Sequence, residues 1–417
     1  MVVASVSPTE VRMSKTSSTF NKAETWVLRT HNRALLSCGG HRHPSLTGGL
    51  CLAARFGRLA ATAAICTLLA LPCAAQVTPA ASYTPPDDTP SIRVGTTIFG
   101  DYTITDKPKG TDADGNEFTP NAFNIGRAYI NVTGNISHVI SFRVTPDIAR
   151  ESGTGSSLSG SYTFRLKYAF AQFNLDQWMT RGTWARLGMQ QTPWVDDDES
   201  IYRYRFQGTV FAEREGYLSS SDVGASFHYN LPGNYGDVHA GVYNGETYSK
   251  PEVNQEKGFM VRGAFRPFPM SPLLRSLRLE GFWDQDAYVK DGERQRGIVA
   301  ATFQHPYVNA SIEYLDAQDQ TRASLPKIDG KGWSFWATPK TPDNIGWEGL
   351  IRFDHLEPNK TLDARRNRTI LAVAYWFPHQ GGVSTALLLD FENVENTNFE
   401  PVRPNERRYA VHALLNF

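Results

Sequence analysis

Chemistry could reside first in the stretch VDDDESIYRYRFQGTVFAER, Val195 to Arg214, where Asp196, Asp197, Asp198 and Glu199 are followed by Arg203 and Arg205, then by Glu213 and Arg214. A calcium loop is one reading, and its spacing fails. With Asp196 as the first ligand, Ile201 stands where such a loop needs glycine and Gln207 where it needs the bidentate glutamate. A catalytic carboxylate pair is a second reading, but adjacent carboxylates point in different directions and have no obvious His or Ser partner. The third is a charged constriction, with Asp196 to Glu199 and Arg203/Arg205 on opposite sides of a narrow passage, setting up a transverse field that orients passing solutes. Glu213 and Arg214 fit a plainer role better, pinning the loop to a wall. No catalytic residue, metal ligand set or cofactor is expected. The histidines beyond the first 75 residues are scattered, and no phosphate loop, zinc motif or nucleophile elbow occurs.

The elements that would position this stretch show a period of two. From His138 to Ile148, Ile140, Phe142 and Val144 alternate with Ser141, Arg143, Thr145 and Asp147. The same split separates Ala128, Ile130 and Val132 from Arg127, Tyr129 and Asn131. It separates Phe164, Leu166 and Tyr168 from Arg165 and Lys167, and Leu279 and Trp283 from Arg278, Glu280 and Asp284. Each segment is apolar on one side and charged on the other.

Long polar spacers (103–121, 149–161, 192–222, 244–257, 285–296, 316–331, 357–367 and 393–405) take turns with short ones (134–137, 176–183, 231–236, 268–276, 305–307, 339–346 and 378–382). Eight long and seven short connections join sixteen strands. This is the pattern of an all-β, transmembrane antiparallel barrel of about 16 strands, with long loops at one end and short turns at the other. Strands of about 9 to 11 residues tilted across the bilayer account for the length, and such a barrel leaves an aqueous lumen. Its third long loop, 192–222, is the longest connection, and ordered loops of that size are usually functional. Tyr102, Trp184, Tyr229, Trp283, Trp347 and Trp376 lie near strand ends and suit interfacial girdles.

The first 75 residues form a separate piece. They hold all four cysteines and eight Lys/Arg against two acids, leaving 34 basic and 40 acidic residues in the rest. Arg55 and Arg58 begin a signal peptide, 59–71 is its apolar region, and Cys73-Ala74-Ala75 offers a cleavage site before Gln76. Residues 1–75 are thus read as an N-terminal extension plus signal peptide, 76–90 as a flexible lead-in, and 91–417 as the barrel. A cysteine-free exported chain suits an oxidising compartment. The bacterial outer membrane is the expected location, with its lipid as a partner.

Period two sends Arg127, Arg143, Arg165, Lys167, Arg186, Arg262, Arg266, Arg278 and Arg352 to the lumen, because on the lipid face each would cost a few kcal/mol near the midplane. Rows of lumenal arginine attract anions. Wall salt bridges with Asp147, Glu280, Asp284, Glu313, Glu348 and Asp354 would claim about half of them. Since the mature chain is acidic, anion preference must come from local placement. General diffusion of small hydrophilic solutes, or a structural or adhesive barrel plugged by its own loop, are the alternatives.

Three motifs in order carry a family resemblance: a strand ending in Gly-x-x-x-x-Pro (Gly188 to Pro193), a Phe-x-Glu-Arg element (Phe211, Glu213, Arg214), and a restart at Ser221, Asp222, Val223 and Gly224. IGRAYINVTGNIS, MVRGAFRPFP and TILAVAYWFPHQGG support them. Over about Ile92 to Phe417 the chain resembles the phosphate-selective porin O and P family. The resemblance implies a sixteen-stranded homotrimeric porin whose third long loop folds into the lumen, with basic residues that attract phosphate or polyphosphate. The ending RRYAVHALLNF, with Tyr409, Val411, Ala413, Leu415 and Phe417 on one face, looks like the signal read by the barrel assembly machinery. The partners expected are that machinery and small anionic or hydrophilic solutes. No nucleic-acid partner is expected.

Overall fold

In the computed structural model the described residues are 88–151, 153, 155–379 and 381–417. The expected signal peptide and most of the lead-in lie outside them.

Sixteen strands close into one antiparallel barrel in sequence order. They are β1 Ser91–Lys107, β2 Asn121–Asn135, β3 Ile140–Arg150, β4 Tyr162–Asn174, β5 Trp184–Gln191, β6 Ser221–Asn230, β7 Gly236–Tyr243 and β8 Gly258–Phe265. The second half comprises β9 Arg278–Val289, β10 Gly292–His305, β11 Val308–Asp319, β12 Ile328–Pro339, β13 Gly346–Asn359, β14 Ala364–Trp376, β15 Ser384–Thr397 and β16 Glu406–Asn416. Closure pairs β1 with β16, from Thr97 opposite Asn416 to Lys107 opposite Arg407. Phe417 completes it: Thr96 N donates to the Phe417 carbonyl at 2.7 Å and Phe417 N to the Thr96 carbonyl at 3.0 Å. Among the described residues, closure leaves the barrel without a free edge strand, the condition for crossing hydrocarbon with strands. Outward positions are apolar, as at Phe164, Leu187, Val299, Ile312, Leu389 and Val411, all exposed.

Three local readings of the sequence need correction. Across 357–367 β13 and β14 leave only residues 360–363 between them, and the polar run 285–296 is likewise no long loop: β9 and β10 continue to a two-residue turn, Lys290 and Asp291, with Asp291 in the left-handed region at φ 62°. Its charges are cross-strand partners, Asp286 standing opposite Arg294 and bonded to it, so polarity marks an inward face there. In β4 the period slips. Thr145 pairs with Tyr168 but Pro146 with Leu166, a bulge that turns both Lys167 and Tyr168 inward. Trp184 and Trp376 are no girdle residues either, being 5% and 3% exposed on the inner wall, whereas Trp283 and Trp347 do face outward.

The lumen is also less empty than sixteen strands imply. Trp194, Val195, Ile201, Tyr202, Tyr204, Phe206, Val210, Phe211 and Ala212, all from the third long loop, form one apolar cluster with wall residues that include Met260, Phe282, Ile298, Leu315, Trp336, Leu350, Ile370 and Leu388. Burial of these side chains, worth roughly 1.5–3 kcal/mol for each large one, fixes the loop inside the barrel.

Candidate functional site: the inner loop and the wall it leaves

β5 ends at Gln191, and the loop turns inward at Thr192, whose hydroxyl donates to the Ser219 carbonyl at 2.5 Å and ties the two roots of the loop together. Helix α1, Pro193–Ile201, follows, with proline in its first turn, where a missing N–H costs nothing. The acid run is this helix. A second, single-turn helix, α2, Phe211–Arg214, stops before Gly216, which takes a left-handed φ of 81°.

From within the helices and from the segments around them, the loop is bolted to the wall by charge. Asp197 bonds Arg278 on β9 and lies 3.5 Å from Arg262 on β8. Burial pushes the Asp197 carboxyl up, but the two guanidiniums outweigh it and hold it below the usual range. Arg203 reaches Glu348 on β13 at 3.5 Å and stacks on Trp376 of β14 at 3.6 Å. Gln207 donates to Asp390 and Glu392 on β15 at 2.9 and 3.0 Å. Arg214 meets Glu392 at 2.7 Å. Arg352 on β13 pairs with Asp354 at 2.8 Å and donates to the Thr209 carbonyl at 2.9 Å. Glu215 takes Arg366 and Arg368 of β14 at 2.7 and 2.5 Å. The loop thus spans the lumen and fastens to a wall running from β8 to β15.

The acids and arginines of the run therefore do not simply face one another across an opening. Arg205 bonds Glu199 at 2.6 Å and Glu213 at 3.2 Å, all within the loop. Asp198 is buried, with one carboxylate oxygen lacking a partner. Burial pushes its pKa up to about 7 against the pull of Arg352, and Asp197 and Glu199 add to the rise. Asp196 lies on the same helix and forms no ion pair within 4.0 Å among the described residues.

The nine inward basic residues divide. Arg127 and Arg165 share Asp147 at 2.6 and 3.3 Å. Arg262 and Arg278 share Glu280 at 3.4 and 3.0 Å, Arg262 also holding Asp237, and Arg352 is paired as above. Among the described residues Arg143, Lys167, Arg186 and Arg266 have no carboxylate within 4.0 Å. Three of them sit on aromatic faces instead. Arg143 lies over Tyr168 at 4.4 Å. Lys167, 3% exposed, lies 5.1 Å from the Tyr129 ring. Arg186, 2% exposed, is held between Trp184 at 3.8 Å and Phe170 at 4.7 Å, with Gln172 and Gln191 as neutral acceptors and one terminal nitrogen unpartnered. These three share the β3–β5 wall.

Beside the loop, a cavity of about 360 Å³ remains along β16, β1 and β2. Arg127, Arg205, Arg408, His412, Asp101 and Gln207 are among its lining groups, with Phe99 and Phe206 on its apolar side. Of these, sequence reasoning had selected only Arg127 and Arg205. It had missed Glu392, which gathers Arg214, Arg368 and Arg408, and also Glu215. The period-two placement of Arg366 and Arg368 opposite Leu371 and Val373 was the available signal for that network.

No protein-family model matches the chain, and no curated protein does. Solved structures do. A loop-deleted OmpT, an outer membrane protein of Vibrio cholerae, is 14% identical with a TM-score of 0.54, over 79% of this chain and 100% of that one. An anion-selective porin from Comamonas acidovorans is 12% identical with a TM-score of 0.52, over 79% and 100%. The outer membrane channel DcaP of Acinetobacter baumannii is 9% identical with a TM-score of 0.51, over 79% and 97%. At these identities the likeness shows a shared fold, that of outer-membrane barrels. The narrower O and P resemblance rests on its motifs alone.

Proposed function

We propose that the chain is a passive outer-membrane channel for small hydrophilic solutes, with a preference for anions, the class to which phosphate belongs. The observation that carries it is the trio Arg143, Lys167 and Arg186, inward cations without a carboxylate within 4.0 Å among the described residues. An unpaired charge in a low-dielectric wall is costly and gains most from a mobile counter-ion. Of the loop's acids, Asp197, Glu199 and Glu213 are already engaged by arginines, and Asp196 opposes the preference at Arg186 and Arg143 without forming an ion pair within 4.0 Å among the described residues. Membrane lipid meets the apolar outer face, and Phe417 closes the barrel in the position from which the assembly machinery would read it. A homotrimer is the assembly implied by the resemblance, and one of the similar solved structures is described as a trimer form.

Planar-bilayer recording of the reconstituted chain tests the reading. Ohmic conductance with a reversal potential on the anion side in a KCl gradient is the expected result. Cation preference would overturn the anion assignment, and absence of conductance in a folded sample would favour a plugged structural barrel.

A further inference from the structure

The cavity along β16, β1 and β2 differs from the β3–β5 wall in a way that bears on which anion is favoured, an inference that rests on the channel reading above. Each guanidinium on its rim is already engaged: Arg127 by Asp147 at 2.6 Å, Arg205 by Glu199 at 2.6 Å and Arg408 by Glu392 at 2.5 Å. Asp101 adds a negative charge to the lining. With Glu213 also on Arg205 at 3.2 Å, a strongly hydrated multivalent anion entering here must compete with four carboxylates, meet a fifth, and shed its water. The opposite side is apolar. Phe99 and Phe206 lie with ring centroids 6.4 Å apart and keep 8% and 6% of their surface exposed, both bordering the cavity. The volume, about 360 Å³, falls within the range of about 300–1,000 Å³ typical of small-molecule sites.

We infer that this cavity is a subsite for organic monoanions with a planar aromatic body, the ring resting on Phe99 and Phe206 and the single carboxylate taking free N–H edges of Arg127, Arg205 or Arg408. Such a solute carries one charge past Asp101 and recovers its dehydration cost through ring contact. Inorganic phosphate has no apolar face to make that exchange.

Benzoate and inorganic phosphate, each added to the wild-type channel in planar bilayers carrying chloride current, test the assignment without a mutation. Benzoate should block at a concentration about tenfold lower than phosphate, the effect of roughly one aromatic stacking contact. Phe99→Ala, with barrel folding checked by heat-modifiable gel migration, should weaken benzoate block several-fold more than phosphate block. Phosphate blocking as well as or better than benzoate, in a channel that still reverses on the anion side, would overturn the subsite and leave the channel reading standing. Equal weakening of both blocks by Phe99→Ala would likewise overturn it. A folded protein without chloride current would overturn both.

Discussion

The β3–β5 wall and the β8–β15 wall present the same kind of side chain to the lumen and use it differently. On β8–β15, Arg262, Arg278, Arg352, Arg366 and Arg368 are matched by Asp197, Asp237, Glu280, Asp354 and Glu215, and two of those five acids, Asp197 and Glu215, belong to the inner loop. Those cations hold structure in place. On β3–β5, Arg143, Lys167 and Arg186 rest on Tyr168, Tyr129 and Trp184, and a ring face neutralises a cation far less than a carboxylate does. No carboxylate claims their charge within 4.0 Å among the described residues. Counting lumenal arginines therefore says little about selectivity; what each one is bonded to decides.

The largest effect is expected on the paired side. Glu392 receives Arg214, Arg368 and Arg408 and is 3% exposed, so Glu392→Gln leaves three guanidiniums short of their counter-charge. Breaking such a buried network costs about 3–5 kcal/mol. A lower urea midpoint and rapid current fluctuations from a loosened loop are the expected outcomes; an unchanged midpoint and quiet current would mean the loop is held by its apolar cluster alone. Arg143→Gln, by contrast, orphans no acid and should leave the midpoint near wild type.

A smaller effect separates the two regions by pH. Burial holds the Asp198 carboxyl up at about 7, above the ordinary value of about 3.9. The folded state then binds more protons than the unfolded chain between about pH 4 and pH 7, so stability from this group is greatest at the acid end and falls as pH rises through that window. Urea midpoints at pH 5 and pH 8 should differ less in Asp198→Asn than in the wild type. An identical pH dependence in the two proteins would show that Asp198 does not titrate there.

Much of the barrel was readable because period two and loop alternation are imposed by the membrane itself. Sixteen strands, inward Arg278, Glu280 and Asp284, and the closing face that ends at Phe417 all follow from that constraint. The rest depends on tertiary pairing. A run such as 285–296 looks like a loop until Asp286 is known to lie across from Arg294. The inward turn of Tyr168 depends on a bulge that no local pattern announces. Within the site, Arg205 and Glu199 are six residues apart and meet because the chain folds back after α1, whereas Arg214 finds Glu392 178 residues away. Sequence supplied the charged residues of the loop, and only the placement of the strands supplied their wall partners, β8 and β9 for Asp197 and β13 to β15 for Arg203, Arg214 and Glu215.

The most direct test of the central claim is the reversal potential in a KCl gradient of the wild type beside a triple variant, Arg143→Gln, Lys167→Gln and Arg186→Gln. At water-like dielectric one contact charge is worth about 1 kcal/mol, roughly fivefold in the ratio of anion to cation permeability. The wild type should reverse on the anion side, and the variant should move toward or past zero. A triple variant that keeps the wild-type reversal potential would contradict the account.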